Sequence, residues 1–232
     1  MFSSISIPTP SLALLLLATT AQLVTAVSTI TLTQSAAPTA TSTSFTSDDT
    51  FEKDMLDAQN FYRGEHNASA LSWNKSSASV AGKWSSACNF VHSGGPTGEN
   101  LAAGYANASA SVDAWGLERE KYSWKSPGFS EATGHFTQLV WRNTTSVGCG
   151  RTSCAGKNGT PGWYVVCEYY PPGNVEGSAN QFFKDNVKVQ SKGKKTDTVE
   201  SGVSSEGVGG GERRWGVRIL GAVVVVGAVA IW

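Results

Sequence analysis

An α+β domain is predicted for residues 51 to about 187, with helices layered against a small antiparallel sheet. Two observations carry this. Between 51 and 143, apolar side chains recur at three- and four-residue spacing, the period of helices packed on a core. In "GWYVVCEYY" (162–170) the period drops to two, the period of a strand.

The elements follow in order. "TFEKDMLDAQNFYRGEHN" places Phe51, Met55, Ala58 and Tyr62 on one helical face, with Asp48, Asp49 and Thr50 as caps and Gly64 as terminator. Asn74 precedes a second helix carrying Val80, Trp84 and Cys88 four apart. A third, around 109–123, aligns Val112, Trp115, Arg119 and Tyr122. "EATGHFTQLVWRN" (131–143) supplies a fourth, starting at or just before Gly134. In the strand at 163–170, Trp163, Val165, Cys167 and Tyr169 alternate with Tyr164, Val166, Glu168 and Tyr170. It is apolar on both faces except at Glu168, so it is expected in the centre of the sheet. "VGCGRTSC" (147–154) reads as its partner and "AGKNGTPG" (155–162) as the turn between them.

The flanks differ in kind. "LALLLLA" (12–18) followed by "VTA" (24–26) reads as a secretory signal peptide, residues 1–26, although no Lys or Arg precedes the apolar run. That run is shorter than the roughly 20 residues of a membrane-spanning helix. Residues 27–50 are a Ser/Thr-rich linker open to O-glycosylation. Residues 188–214 read as a solvated polar linker with a basic cluster at Lys192, Lys194 and Lys195. The apolar stretch within 215–232 runs to the last residue, with Gly202, Ser204, Ser205 and Gly207 upstream. This order matches a GPI-attachment signal, with attachment between Ser204 and Gly207. A short C-terminal membrane helix is the alternative.

A secreted chain with four cysteines implies two disulfides, with three possible pairings. Sequons at Asn67, Asn74, Asn107, Asn143 and Asn158 agree with a glycoprotein. The formal net charge is zero and points to no nucleic-acid partner.

The sequence lacks HExxH, GxSxG, GxGxxG and P-loop signatures, and disulfides would use every thiol. The titratable groups in shaped contexts are His92 and Glu99, bracketing a Gly/Pro-rich loop, Glu118 between Trp115 and Tyr122, and His135. If convergent, they would suit a borderline divalent ion such as Zn²⁺. A hydrogen-bonded structural cluster is the other reading, and the spacing alone favours it. His66, in a turn beside a sequon, is expected at the surface.

Four stretches together resemble the CAP superfamily of cysteine-rich secretory, venom-antigen and pathogenesis-related proteins. They are "QNFYRGEHNASALSWN" (59–74), "GGPTGENLA" (94–102), "GHFTQLVWRNT" (134–144) and "YVVCEYYPPGNVEG" (164–177). Gln59 and Glu168 depart from the usual pattern. The resemblance implies a three-layer α-β-α sandwich with a small central antiparallel sheet. It implies a cleft in which His92, Glu99, Glu118 and His135 converge, with Zn or Mg as the candidate metal. It implies the pairings Cys88–Cys154 and Cys149–Cys167. The chain also resembles the fungal branch of the family, whose secreted members bind sterols and fatty acids. By that resemblance, the loop "YSWKSPGFSEATG" (122–134) offers Tyr122, Trp124, Pro127 and Phe129 to a lipid. A monomer that binds and exports sterol or fatty acid, held to the membrane by the GPI anchor, is the expected function. A metal-dependent hydrolase centred on the two His and two Glu, and a host-facing surface effector, are the alternatives.

Overall fold

The strand predicted at the centre of the sheet occupies that place. The computed structural model describes residues 42–201 and the backbone of 228–230. The signal peptide, most of the first linker, the attachment region Ser204 to Gly207 and the rest of the apolar tail lie outside the described residues.

β4 (Trp163–Tyr170) pairs antiparallel with β3 (Ser146–Ser153) on one side and β2 (Gly98–Ala103) on the other. A two-residue strand, β1 (Ser72–Trp73), joins β3 in parallel, and β5 (Ala228–Ala230) lies antiparallel beside β2, giving the order β1-β3-β4-β2-β5. β2 begins at the end of the Gly/Pro-shaped loop bracketed by His92 and Glu99 and was not expected as a strand. Its Gly, Asn and Ala residues carry little strand propensity, and its pairing with β4 supplies the conformation.

Strand alternation gives the sheet two apolar faces. Val147, Cys149, Val165, Cys167, Tyr169 and Ala102 belong to the larger core. That core is built with α1 (Thr43–Thr46), α2 (Asp48–Glu65), α4 (Ala108–Gly116), α5 (Gly134–Leu139) and α6 (Gln181–Asn186). Leu101, Ala103, Tyr164 and Val166 face the other way, toward α3 (Lys75–Ser85), and pack with Ala81. Helices therefore cover both faces, as a three-layer α-β-α sandwich requires.

Local chemistry sets the helix starts. Ser47 caps α2 by accepting the Thr50 N–H at 3.3 Å, with Asp48 and Asp49 in the first turn favouring its positive end. Asn74 caps α3 at 3.1 Å and Asn107 caps α4 at 2.8 Å. α2 runs through Gly64 to Glu65. The α3 face differs from the expected one: Val80 is 55% exposed, while Ser77, Ala81 and Ser85 are buried. Gly148 and Gly150 explain this. A Cβ at either would lie 2.1–2.2 Å from the α3 backbone, so helix and strand touch main chain to main chain and only small residues fit between them.

Both disulfides are formed with the pairings that the resemblance implied. Cys149 and Cys167 are direct cross-strand partners, with Cα atoms 4.1 Å apart. Cys88–Cys154 ties the segment after α3 to the end of β3. Among the described residues no helix is long and apolar enough to cross a membrane.

Candidate functional site

His135 stands in the first turn of α5, fully buried. Its Nδ1 lies 2.7 Å from Glu118 Oε1, and the Phe136 N–H donates to Glu118 Oε2 at 3.0 Å. One carboxylate thus holds both the imidazole and an otherwise unmet N–H of the helix start. Glu118 comes from the 3₁₀ turn Leu117–Glu120 that continues α4. Trp115 of α4 stacks on the His135 ring with centroids 6.3 Å apart, and its indole N–H donates to the Leu101 carbonyl at 3.0 Å. Asn100 fastens the site to β2 by donating to the His135 carbonyl at 3.0 Å.

The second pair is built on the neighbouring residue of the same strand. Glu99 Oε1 lies 2.6 Å from His92 Nδ1 and accepts the Ser93 N–H at 2.9 Å. Gly98 leaves room for the Gln138 side chain against β2: a Cβ there would sit 1.9 Å from Gln138 Oε1. Directly opposite Glu99 in the β2–β4 register is Glu168, whose Oε2 accepts the Thr97 hydroxyl. Both carboxyl groups are buried, and each keeps one oxygen, Glu99 Oε2 and Glu168 Oε1, with no other hydrogen-bond partner. The two groups lie within hydrogen-bonding reach of each other. Burial, and then the Glu99 carboxylate, push the Glu168 carboxyl up to about 7 against the Thr97 hydrogen bond. Burial acts on Glu99 too, but hydrogen bonds from His92 and Ser93 outweigh it and hold Glu99 below the usual carboxylate range. A proton on Glu168, donated to Glu99, satisfies both bare oxygens.

The structure therefore joins His92 to Glu99 and His135 to Glu118. Glu99 and Asn100 are neighbours on β2, and Asn100 reaches the His135 carbonyl, so both pairs are anchored beside that strand. In each pair a carboxylate engages Nδ1, as it does behind a metal-bound imidazole. Among the described residues, however, no three His, Cys, Asp or Glu are arranged to hold one ion. His135 Nε2 is buried with no hydrogen-bond partner, and no chemical step is assigned to a metal.

The 122–134 loop lies beyond α4. Tyr122, Pro127 and Phe129 line a cavity of about 500 Å³. Phe129 also borders a second cavity of about 470 Å³, between Pro96 and Pro172. Trp124 turns away from both. Its ring stacks on His66 at 6.0 Å and meets Tyr122 and Phe136 edge-on, and it borders a separate space of about 180 Å³ beside Val187.

The profile described as "CAP: Cysteine-rich secretory protein family" matches residues 56–169. The chain is 39% identical to pathogenesis-related protein 1C of Nicotiana tabacum over 137 residues, 55% of this chain and 79% of that protein. The chain belongs to the CAP family. It is 44% identical over 154 residues to "Repressed by EFG1 protein 1" of Candida albicans, covering 61% of this chain and 55% of that protein. It is 41% identical over 139 residues to "Secreted protein RBT4" of the same organism, covering 56% and 37%. The chain thus spans about half, or less, of the length of these fungal relatives.

This CAP domain also buries polar groups whose partners no motif reveals. His66, expected at the surface, is fully buried: its Nδ1 meets the Lys188 carbonyl at 2.8 Å, and burial pushes it down to about 4. The segment after 187, read as a solvated linker, covers it. Arg119 pins that segment by donating to the carbonyls of Lys194, Lys195 and Asp197 and to the Glu65 carboxylate. Asp113 accepts the N–H groups of Val199 and Glu200 at 2.9 and 3.0 Å. Lys192, Lys194 and Lys195 remain exposed, as expected. Among the sequons, Asn67 and Asn143 are exposed and Asn74 and Asn107 serve as helix caps. The Asn158 side chain donates to the Ala87 carbonyl at 3.1 Å.

Proposed function

We propose that this chain is a secreted CAP protein that binds a small lipid, a sterol or a fatty acid, at the 122–134 loop, and carries it outside the cell. One observation carries the reading: Tyr122, Pro127 and Phe129 line a cavity of about 500 Å³. Such a volume lies within the roughly 300–1,000 Å³ typical of small-molecule sites. A flat apolar molecule laid against Phe129 would remove the ring's remaining exposed face from water, which is the main source of affinity for such ligands.

Secretion is supported by the N-terminal apolar run, by two disulfides suited to an oxidising compartment, and by the name of the RBT4 relative. Attachment at the cell surface through a lipid exchanged for the C-terminal tail belongs to the same proposal and rests on the order of residues there. Trp124 acts behind the site, bracing the loop against His66.

Equilibrium binding of radiolabelled cholesterol to the secreted protein tests the reading. Saturable binding is expected, and Phe129→Ala should weaken it about tenfold or more, as loss of an aromatic anchor does. No saturable binding of either cholesterol or a long-chain fatty acid would end the proposal.

A further inference from the structure

The wall of the loop cavity is not neutral. Lys121, Lys125 and Lys184 line it together with Tyr122, Pro127 and Phe129, and no acidic side chain lines it. Among the described residues, the ion pairs of Lys and Arg are Lys53–Asp57, Arg119–Glu65 and Arg151–Asp48, and none uses these three lysines. Lys121 and Lys125 come from the loop that follows the 3₁₀ turn, and Lys184 from α6, so two separate elements bring lysines to the wall of one space. The chain as a whole has no excess of positive charge, which makes the local concentration a feature of this site.

Three like charges around one cavity repel each other, and an anion placed among them relieves that repulsion. An apolar wall beside them favours a molecule with an apolar body. We infer that the cavity's preferred ligand is an acidic amphiphile, an apolar body ending in a carboxylate or sulfate, with its head among Lys121, Lys125 and Lys184 and its body against Tyr122, Pro127 and Phe129. The inference rests on the lipid-binding reading and narrows it: within that reading, head-group charge sets which lipid is carried.

The test compares cholesterol with cholesterol sulfate, which share one ring system and differ in head charge. The quantity read is the ratio of their dissociation constants on the full secreted protein. A preference for the sulfate of about tenfold is expected, since three exposed pairings each contribute modestly. It should shrink in high salt, where exposed charges are screened. In the K121Q/K125Q/K184Q protein, checked for folding by circular dichroism, the ratio should fall to near one. Lys184→Glu alone should move it in the same direction.

Equal affinity for the two sterols in the parent protein overturns the inference and leaves the lipid reading standing. A sulfate preference that survives the triple change also overturns it. So does binding to vesicles of anionic phospholipid without binding of the monomeric sulfate, which would place the charge preference at a membrane surface. Failure to bind either sterol or a long-chain fatty acid removes both the inference and the reading beneath it.

Discussion

Replacing Glu168 by Gln should stabilise the protein, and only above a defined pH. Glu168 is 1% exposed, faces Glu99 across the β2–β4 register, and holds its proton up to about 7 against an ordinary value of 4.5. The folded state therefore binds a proton that the unfolded chain has released. Stability from this group is fully present below 4.5 and is lost as pH rises through about 7. At about 1.4 kcal/mol per pH unit, the loss reaches about 3 kcal/mol at neutral to mildly alkaline pH. Glutamine has the same shape and never charges. Its amide oxygen accepts the Thr97 hydroxyl and its amide N–H donates to Glu99, reproducing the protonated acid. Urea unfolding of the disulfide-intact protein, from pH 4.5 to about pH 8, reads the effect. The variant and parent should match at the acid end and separate by about 3 kcal/mol at the alkaline end, with the variant the more stable. An advantage independent of pH, or a variant less stable at pH 8, would refute the shared proton and mean that Glu168 is needed as an anion.

The remaining predictions concern what holds the site in place. His66, pushed down to about 4 from 6.5, gives stability that is full above 6.5 and falls as pH drops toward 4. In the Glu168→Gln background, free of the opposing slope, melting should reveal a loss of about 3 kcal/mol that His66→Gln abolishes. Arg119→Met leaves the Glu65 carboxylate buried without its partner and should cost about 3–5 kcal/mol in urea unfolding, part of it recovered by adding Glu65→Met. Replacing Cys149 and Cys167 by Ala, a separation of 18 residues, should cost less than replacing Cys88 and Cys154, a separation of 66. Chain entropy sets the two losses at about 3 and about 4 kcal/mol.

What the sequence made legible was whatever its own periodicity determines. Phe51, Met55, Ala58 and Tyr62 recur with the helical period and all are buried. The two-residue alternation of 163–170 placed β4 correctly in the middle of the sheet. The site pairs were legible only as residue types in marked contexts, because His92 with Glu99 and Glu118 with His135 meet through loops whose course no local pattern dictates. β2 was illegible because its strand form comes from pairing and not from its Ala- and Gly-rich composition. The α3 face was misjudged because large apolar residues normally mark the buried side, and here glycines on β3 exclude them. Arg119 aligns with the apolar face of its helix and His66 reads as a surface residue, but neither shows its partners. Their burial is satisfied by carbonyls more than 70 positions away, which only the folded chain brings near. Glu168 did leave a signal: a single charge in a strand apolar on both faces must be neutralised by something across the sheet.

The location of the lipid is the point on which the functional account turns, and photo-crosslinking measures it most directly. A sterol carrying a diazirine is bound to the secreted protein, irradiated, and its adducts are mapped by peptide mass spectrometry. The account predicts labelling within residues 121–133 and at Lys184, reduced by an excess of unlabelled sterol. Adducts that resist competition, or that fall instead on the α3 side of the sheet among residues 74–80, would contradict it.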